Sequence, residues 1–254
     1  MTVEMIAKLK KKENKKMCIA IFKPKNTKLK RKHLENSAEA NPDGFGVAWS
    51  DGQKLRTFRT MKAGEWIDKV QSLEDFPAII HARIRTHGKT DLENCHPFRV
   101  SGGLAFIHNG CLPISTASKP DRSDTWHFNA YVLRPLIRDT RGVTAPVVEL
   151  LHEYARGSKL AFLDYRGRHL IIHEKSGQWE GGAWYSNCSY KNRVGFSWKG
   201  GGYTIPPAYV SPIQTYSGGS VPVDDVEAVE KAIEENSIRR WERKNMDEWS
   251  GYGW

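Results

Sequence analysis

The sequence has no apolar run near the roughly 18–20 residues that a helix needs to cross a bilayer. That excludes an integral helical membrane protein. Its basic N-terminus has no apolar stretch of the kind a secretory signal carries, so the expectation is a cytoplasmic protein. Cysteine is scarce. Cys18, Cys95, Cys111 and Cys188 make no C-x-x-C pair, and no histidine stands at zinc-ligand spacing from them. Reduced thiols are therefore expected, with no disulfide framework, no metal and no cofactor. Acidic residues are lacking at one end only. Residues 1–32 hold twelve Lys/Arg against two acids, while the rest carries 27 of each sign, so the net charge of +10 belongs to a basic arm on a neutral protein. Such an arm could bind nucleic acid without sequence selectivity. The plainer reading is a solvated lysine-rich leader.

At 254 residues with 39% hydrophobic side chains, the chain can bury a core without staples. From Cys18 a short apolar run, Ile19-Ala20-Ile21-Phe22, reads as a buried strand. Residues 28–40 are polar and end in a turn signal, Asn41-Pro42-Asp43-Gly44. Phe45–Trp49 and Leu55–Phe58 read as a hairpin across Asp51-Gly52, and 63–73 as a helix. Further strands are expected at 78–83, 103–107, 159–164, 168–173 and 182–186. Ser123-Asp124 opens a helix, with Trp126, Ala130, Leu133 and Ile137 at helical spacing, and a second helix is expected near 145–155. The stretch 199–220 reads as a Gly/Pro/Ser-rich loop and 221–254 as a charged helical tail. Strands, then helices, then strands again make a layered α+β domain over 18–220, behind a leader at 1–17.

Three clusters interrupt the apolar strands with polar or glycine residues. They are Met17-Cys18, the strand exit HARIRTHG at 81–88, and AFIHNG at 105–110. Each alone is weak: a cysteine is commonly a small buried hydrophobe, and Asn-Gly usually makes a hairpin turn. Their order carries the signal. It resembles the glutaminase domain of class II glutamine amidotransferases, which are N-terminal-nucleophile hydrolases. Asn94-Cys95-His96-Pro97-Phe98 and Ser123-Asp124-Thr125 are similar to further segments of that family. Asn41-Pro42-Asp43-Gly44-Phe45-Gly46 and WYSNCSY at 184–190 are similar to its smaller, single-domain members.

The resemblance implies a four-layer αββα sandwich and glutamine as substrate. It implies Cys18 as the nucleophile, its own α-amine as the base, and the Asn109 amide with the Gly110 N–H as oxyanion donors. Arg83 and Asp124 would grip the α-carboxylate and α-ammonium of glutamine, with Thr86 and His87 lining the same pocket. Asp124 could instead be only a helix-start acid, His96 reads as structural, and Cys95, Cys111 and Cys188 as buried bystanders. Ile84 replaces an aromatic residue of the synthases, and Arg85 a small residue.

One departure matters. An α-amine on Cys18 requires loss of everything before it, yet sixteen residues precede Met17. Cleavage of a propeptide, a true start at Met17, or an inactive protein that keeps its leader are the three explanations. Lys12-Glu13 can be encoded AAG-GAG, the core of a bacterial ribosome-binding site, which favours a start at Met17. The residues outside the glutaminase-like region are too few for an acceptor domain. Ammonia would then go to a partner protein, with the tail as its expected docking segment. The competing readings are a related amide or γ-glutamyl hydrolase, and a non-catalytic binding protein that uses its basic arm.

Overall fold

The computed structural model describes residues 17–191. Residues 1–16 of the basic arm expected at 1–32, the loop at 199–220 and the tail helix at 221–254 lie outside the described residues, while the second half of that arm is no arm: it holds a buried strand, Ile19–Lys23, and the start of a helix at Arg31. The apolar run after Cys18 becomes β1 (Ile19–Lys23), buried on both faces. Ile19 and Ile21 pack on one side with helix residues, while Ala20 and Phe22 face a second sheet. The strand reads as continuous apolar sequence because neither face meets water.

The polar stretch at 28–40 contains a helix, α1 (Arg31–Ala40), where none was expected. Only Leu34 and Ala38 supply its apolar contacts; Asn36 and Ser37 are buried beside them with their polar atoms satisfied. The next elements fall near their expected places: β2 (Phe45–Ser50), β3 (Leu55–Thr60), α2 (Ala63–Gln71) and β4 (Ala78–Ala82). β5 (Phe98–Ser101) is short and unanticipated, and it pairs with β6 (Leu104–Asn109).

Ser123 caps α3 (Asp124–Phe128), its hydroxyl accepting the Trp126 N–H at 3.1 Å. A π-helical segment (Asn129–Leu133) follows, then α4 (Arg134–Asp139). The wider turn shifts the inward stripe, so Phe128, Leu133 and Ile137 are buried while Trp126 and Ala130 sit only partly inside. α5 (Ala145–Tyr154) leads to β7 (Lys159–Asp164) and β8 (His169–Ile172), then β9 (Gln178–Glu180) and β10 (Ala183–Tyr185).

Two antiparallel sheets result, ordered β3-β2-β4-β1-β10-β9 and β5-β6-β7-β8. Between them lies a thin apolar layer rich in alanine: Ala20, Ala48, Ala105 and Ala161, with Phe22, Ile79, Ile107 and Leu163. α1 and α2 cover the first sheet through Leu34, Trp66 and Val70. On the second sheet, Phe106 stacks on Phe162 at 5.5 Å and meets Phe128 of α3 edge-on, and Phe128 stacks on Tyr154 of α5. Helix, sheet, sheet and helix make the αββα layering expected of an α+β protein.

This layering sets the site. Side chains alternate along a strand, so Cys18 shares the inter-sheet face of Ala20 and Phe22, and Asn109 shares that of Ala105 and Ile107. Both stand at strand ends, so the two sheets bring them face to face.

Candidate active site

The Cys18 thiol lies against the exit of β4, whose last two residues begin HARIRTHG. It donates to the Ile84 carbonyl and accepts the Ile84 N–H, both at 3.3 Å. Burial pushes the thiol up to about 11, opposed by the Ile84 amide and the Arg83 charge and reinforced by Asp124. At neutral pH it is a thiol, not a thiolate. The Cys18 carbonyl accepts from the Asn187 side chain at 2.7 Å and from Asn109 Nδ2. Asn109 Nδ2 also donates to Ser186 Oγ at 2.6 Å, and that hydroxyl accepts the Ala20 N–H at 2.9 Å. Both amide protons of Asn109 are thus engaged, one by Cys18 just before β1 and one by Ser186 just after β10. Asn109 Oδ1 is buried and has no hydrogen-bond partner among the described residues.

Of the expected site residues, Cys18, Arg83, Thr86, His87, Gly110 and Asp124 line one pocket of ≈ 280 Å³, open mouth included. Asn109 lies beside it, buried. Arg83 is buried and spends two N–H groups on the loop ahead of it, reaching the His87 and Lys89 carbonyls at 2.8 Å each. Guanidinium has five donors, so three remain. Asp124 is buried at the start of α3. Its Oδ2 accepts the Leu112 N–H at 2.8 Å, and its Oδ1 accepts the Thr125 N–H at 2.8 Å. It is a helix-start acid that also faces the pocket. Gly110 sits at φ +139°, and a Cβ there would overlap Ser158, so the turn passes too close for any side chain.

The sequence reading missed several contributors. His96, set aside as structural, and His108 also line the pocket. With His81 they form a buried cluster: the His81 and His96 rings are tilted at 37° with centroids 4.1 Å apart, and His81 Nε2 lies 3.0 Å from the His108 carbonyl. A carbonyl only accepts, so His81 is protonated at Nε2. The His108 N–H reaches His96 Nδ1 at 3.3 Å, which makes that nitrogen the acceptor. Desolvation holds all three neutral, with His81 lowered to about 3, His108 to about 4 and His96 well below the ordinary imidazole value.

Asn94 is a second omission. Its amide donates to the Lys89 and Asp121 carbonyls at 3.1 and 2.8 Å and its oxygen accepts the Ser123 N–H at 2.8 Å. It ties the 87–91 loop to the start of α3. Ser186 and Asn187, which hold the Cys18 segment, lie within the WYSNCSY stretch. One expectation is corrected: Cys95 is buried, but Cys111 and Cys188 are exposed, because each lies in a loop beyond a strand end rather than inside a sheet.

Residues 26–180, more than half of the chain, match the family model for class II glutamine amidotransferases. The chain belongs to that family. The match begins after Cys18 and ends before Ser186. Over 98 residues, 35% of this class II glutamine amidotransferase chain, it is 33% identical to a Haemophilus influenzae protein named "Putative glutamine amidotransferase", covering 31% of that protein. Over 80 residues, 28% of this chain, it is 32% identical to the amidophosphoribosyltransferase of Homo sapiens, covering 16% of it. Among solved structures, the glutamine phosphoribosylpyrophosphate amidotransferase of B. subtilis superposes with a TM-score of 0.36 at 16% identity, over 66% of this chain and 41% of that one. The matched region spans less than half of each relative. Among the described residues, no helix is long and apolar enough to cross a membrane.

Proposed function

We propose that this chain hydrolyses the side-chain amide of glutamine through a thioester on Cys18, yielding glutamate and ammonia for a partner protein. The observation that carries this reading is the Cys18 thiol sharing one pocket with Arg83 and Asp124. A free amino acid is a zwitterion, and a buried guanidinium and a buried carboxylate beside a nucleophile match its two charges.

The thiol attacks the amide carbon, and its proton passes through a base to the departing nitrogen. Ammonia leaves, and a γ-glutamyl thioester remains. Water then attacks the thioester, releasing glutamate and restoring the thiol. With its thiol near 11, Cys18 is only about one part in ten thousand thiolate at pH 7, so a base is required. An α-amine on Cys18, with a reference pKa of about 7.7–8.0, fills that role once the Met17–Cys18 bond is gone. The Gly110 N–H and the Asn109 amide are the oxyanion donors, the latter after exchanging its bond to the Cys18 carbonyl for one to the oxyanion. Losing one such donor costs about 2.7–4 kcal/mol.

Intact mass of protein made from the native gene, before and after a glutamine-like diazo-ketone, tests this. The expected result is a chain beginning at Cys18 that gains one adduct and converts glutamine to glutamate. A chain that keeps residues 1–16, gains nothing and releases no ammonia overturns it in favour of a binding protein. Faster release from asparagine or a γ-glutamyl amide than from glutamine would move the substrate within the same chemistry.

A further inference from the structure

His87, Cys111 and Asp124 come from three separate segments: the loop after β4, the turn after β6 and the start of α3. Their ligand atoms nevertheless all lie within 4.8 Å of one another. A tetrahedral zinc ion with bonds of 2.0–2.3 Å places its ligands roughly 3.3–3.8 Å apart. The gap closes by small rotations of His87 and Cys111, both of which are exposed. The backbone beneath each donor is already braced. Ser158 Oγ donates to the Cys111 carbonyl at 2.9 Å, and Arg83 donates to the His87 carbonyl at 2.8 Å. Asp124 is fixed by the Leu112 and Thr125 amides, the kind of outer support that orients a metal-binding carboxylate. A carboxylate offers about four lone-pair sites. Those amides and the Thr125 hydroxyl at 3.3 Å occupy three at most, leaving one.

We propose that these three side chains form an inhibitory binding site for a divalent zinc-class cation at the mouth of the active-site pocket. An imidazole nitrogen, a thiolate and a carboxylate make the mixed donor set that zinc prefers over magnesium or calcium. The thiol gives up its proton to solvent on ligation. Thiolate and carboxylate together neutralise the dication, so the nearby Arg83 meets no net positive charge. Three protein ligands leave a fourth position for water. The site also explains how such an ion would act. The free lone pair of Asp124 is the one the substrate ammonium needs, so metal and glutamine exclude each other. That consequence rests on the glutaminase reading; the metal site itself does not.

The test uses the full chain and two readouts. Cobalt(II), which takes zinc sites and gives a thiolate-to-metal absorption band, is titrated into C18S so that the pocket thiol cannot contribute. A band is expected, and it should vanish in the C18S/C111S pair. No band, or one that survives loss of Cys111, overturns the proposal. In the second readout, zinc should inhibit glutamine hydrolysis competitively with glutamine. C111S should need roughly tenfold more zinc or beyond for the same inhibition, with its metal-free kcat/KM within about twofold of the parent. Equal zinc sensitivity in C111S also overturns the proposal. If the metal-free protein hydrolyses no glutamine, the glutaminase reading fails and the cobalt band alone decides the metal site.

Discussion

At the scale of single residues, Cys18 is held as a thiol by desolvation, with the Ile84 amide and Arg83 only partly offsetting it. A raised thiol pKa means that the reactive thiolate grows about tenfold for each pH unit until the pH approaches that pKa. Alkylation of Cys18 in the full chain should therefore rise log-linearly between pH 7 and 9.5 with no plateau. Peptide-level mass spectrometry after iodoacetamide pulses would measure it, and a plateau near pH 8 would contradict the assigned burial. Exposed Cys188 serves as the internal comparison. The placement of Asp124 was readable only in outline. Ser123-Asp124 announces a helix start, but nothing in the sequence says that the Leu112 amide would turn the carboxylate toward Cys18. The His87–Cys111–Asp124 grouping was invisible for the same reason. Its members follow no ligand spacing, because three separate turns supply them.

At the scale of elements, β4 and β6 place His81 and His108 toward one another, with His96 against both. Their folded-state pKa values are depressed, so the unfolded chain takes up protons first as pH falls. Stability is full above about pH 6.5 and drops below it, His81 and His108 each removing up to about 1.4 kcal/mol per pH unit until the pH reaches their folded values of about 3 and about 4. Urea midpoints at pH 7.5 and 5.5 should differ accordingly, and equal midpoints would contradict the burial of these rings. Asn94 joins two elements in the same way. Asn94→Ala leaves the Ser123 N–H without its acceptor, while the Lys89 and Asp121 carbonyls keep the Arg83 guanidinium and the Lys89 N–H, and it should cost about 1–3 kcal/mol in a urea melt.

The central strands were legible because burial on both faces writes them as unbroken apolar runs, as in Ile79-Ile80 and Phe162-Leu163, and the half-exposed β3 because Asp51-Gly52 marks the hairpin turn before it. α1 was not, since two apolar contacts in ten residues make no stripe. β5 and β9 are too short to show a period, and the π-helical turn after α3 breaks the 3.6-residue rule that placed Trp126 and Ala130 inside. Of the site, the ordered motifs located Cys18 and other residues that line the pocket. The supports supplied by Asn94, Ser186 and Asn187 depend on long-range contacts that no local pattern encodes.

For the whole molecule, the inter-sheet layer is thin because alanines fill it, and its thickness sets the separation between the strand ends that carry Cys18 and Asn109. Ala161 lies at its centre, paired with Ile107 and Ile171. Ala161→Leu should overpack this layer and cost about 1–3 kcal/mol. It should also weaken the Asn109 contact to the Cys18 segment, so melting temperature and diazo-ketone labelling of the processed protein should fall together. A lowered melting temperature with unchanged labelling would show that the two sheets need not keep their spacing for the chemistry.

The anchoring of residue 18 has a further consequence. Its described bonds run from its own sulfur and carbonyl to Ile84, Asn109 and Asn187, all on the far side of the peptide link to Met17. Severing that link would leave those moorings untouched. The protein could shed its front end and keep its reactive group already seated, so maturation would require a cut but no refolding.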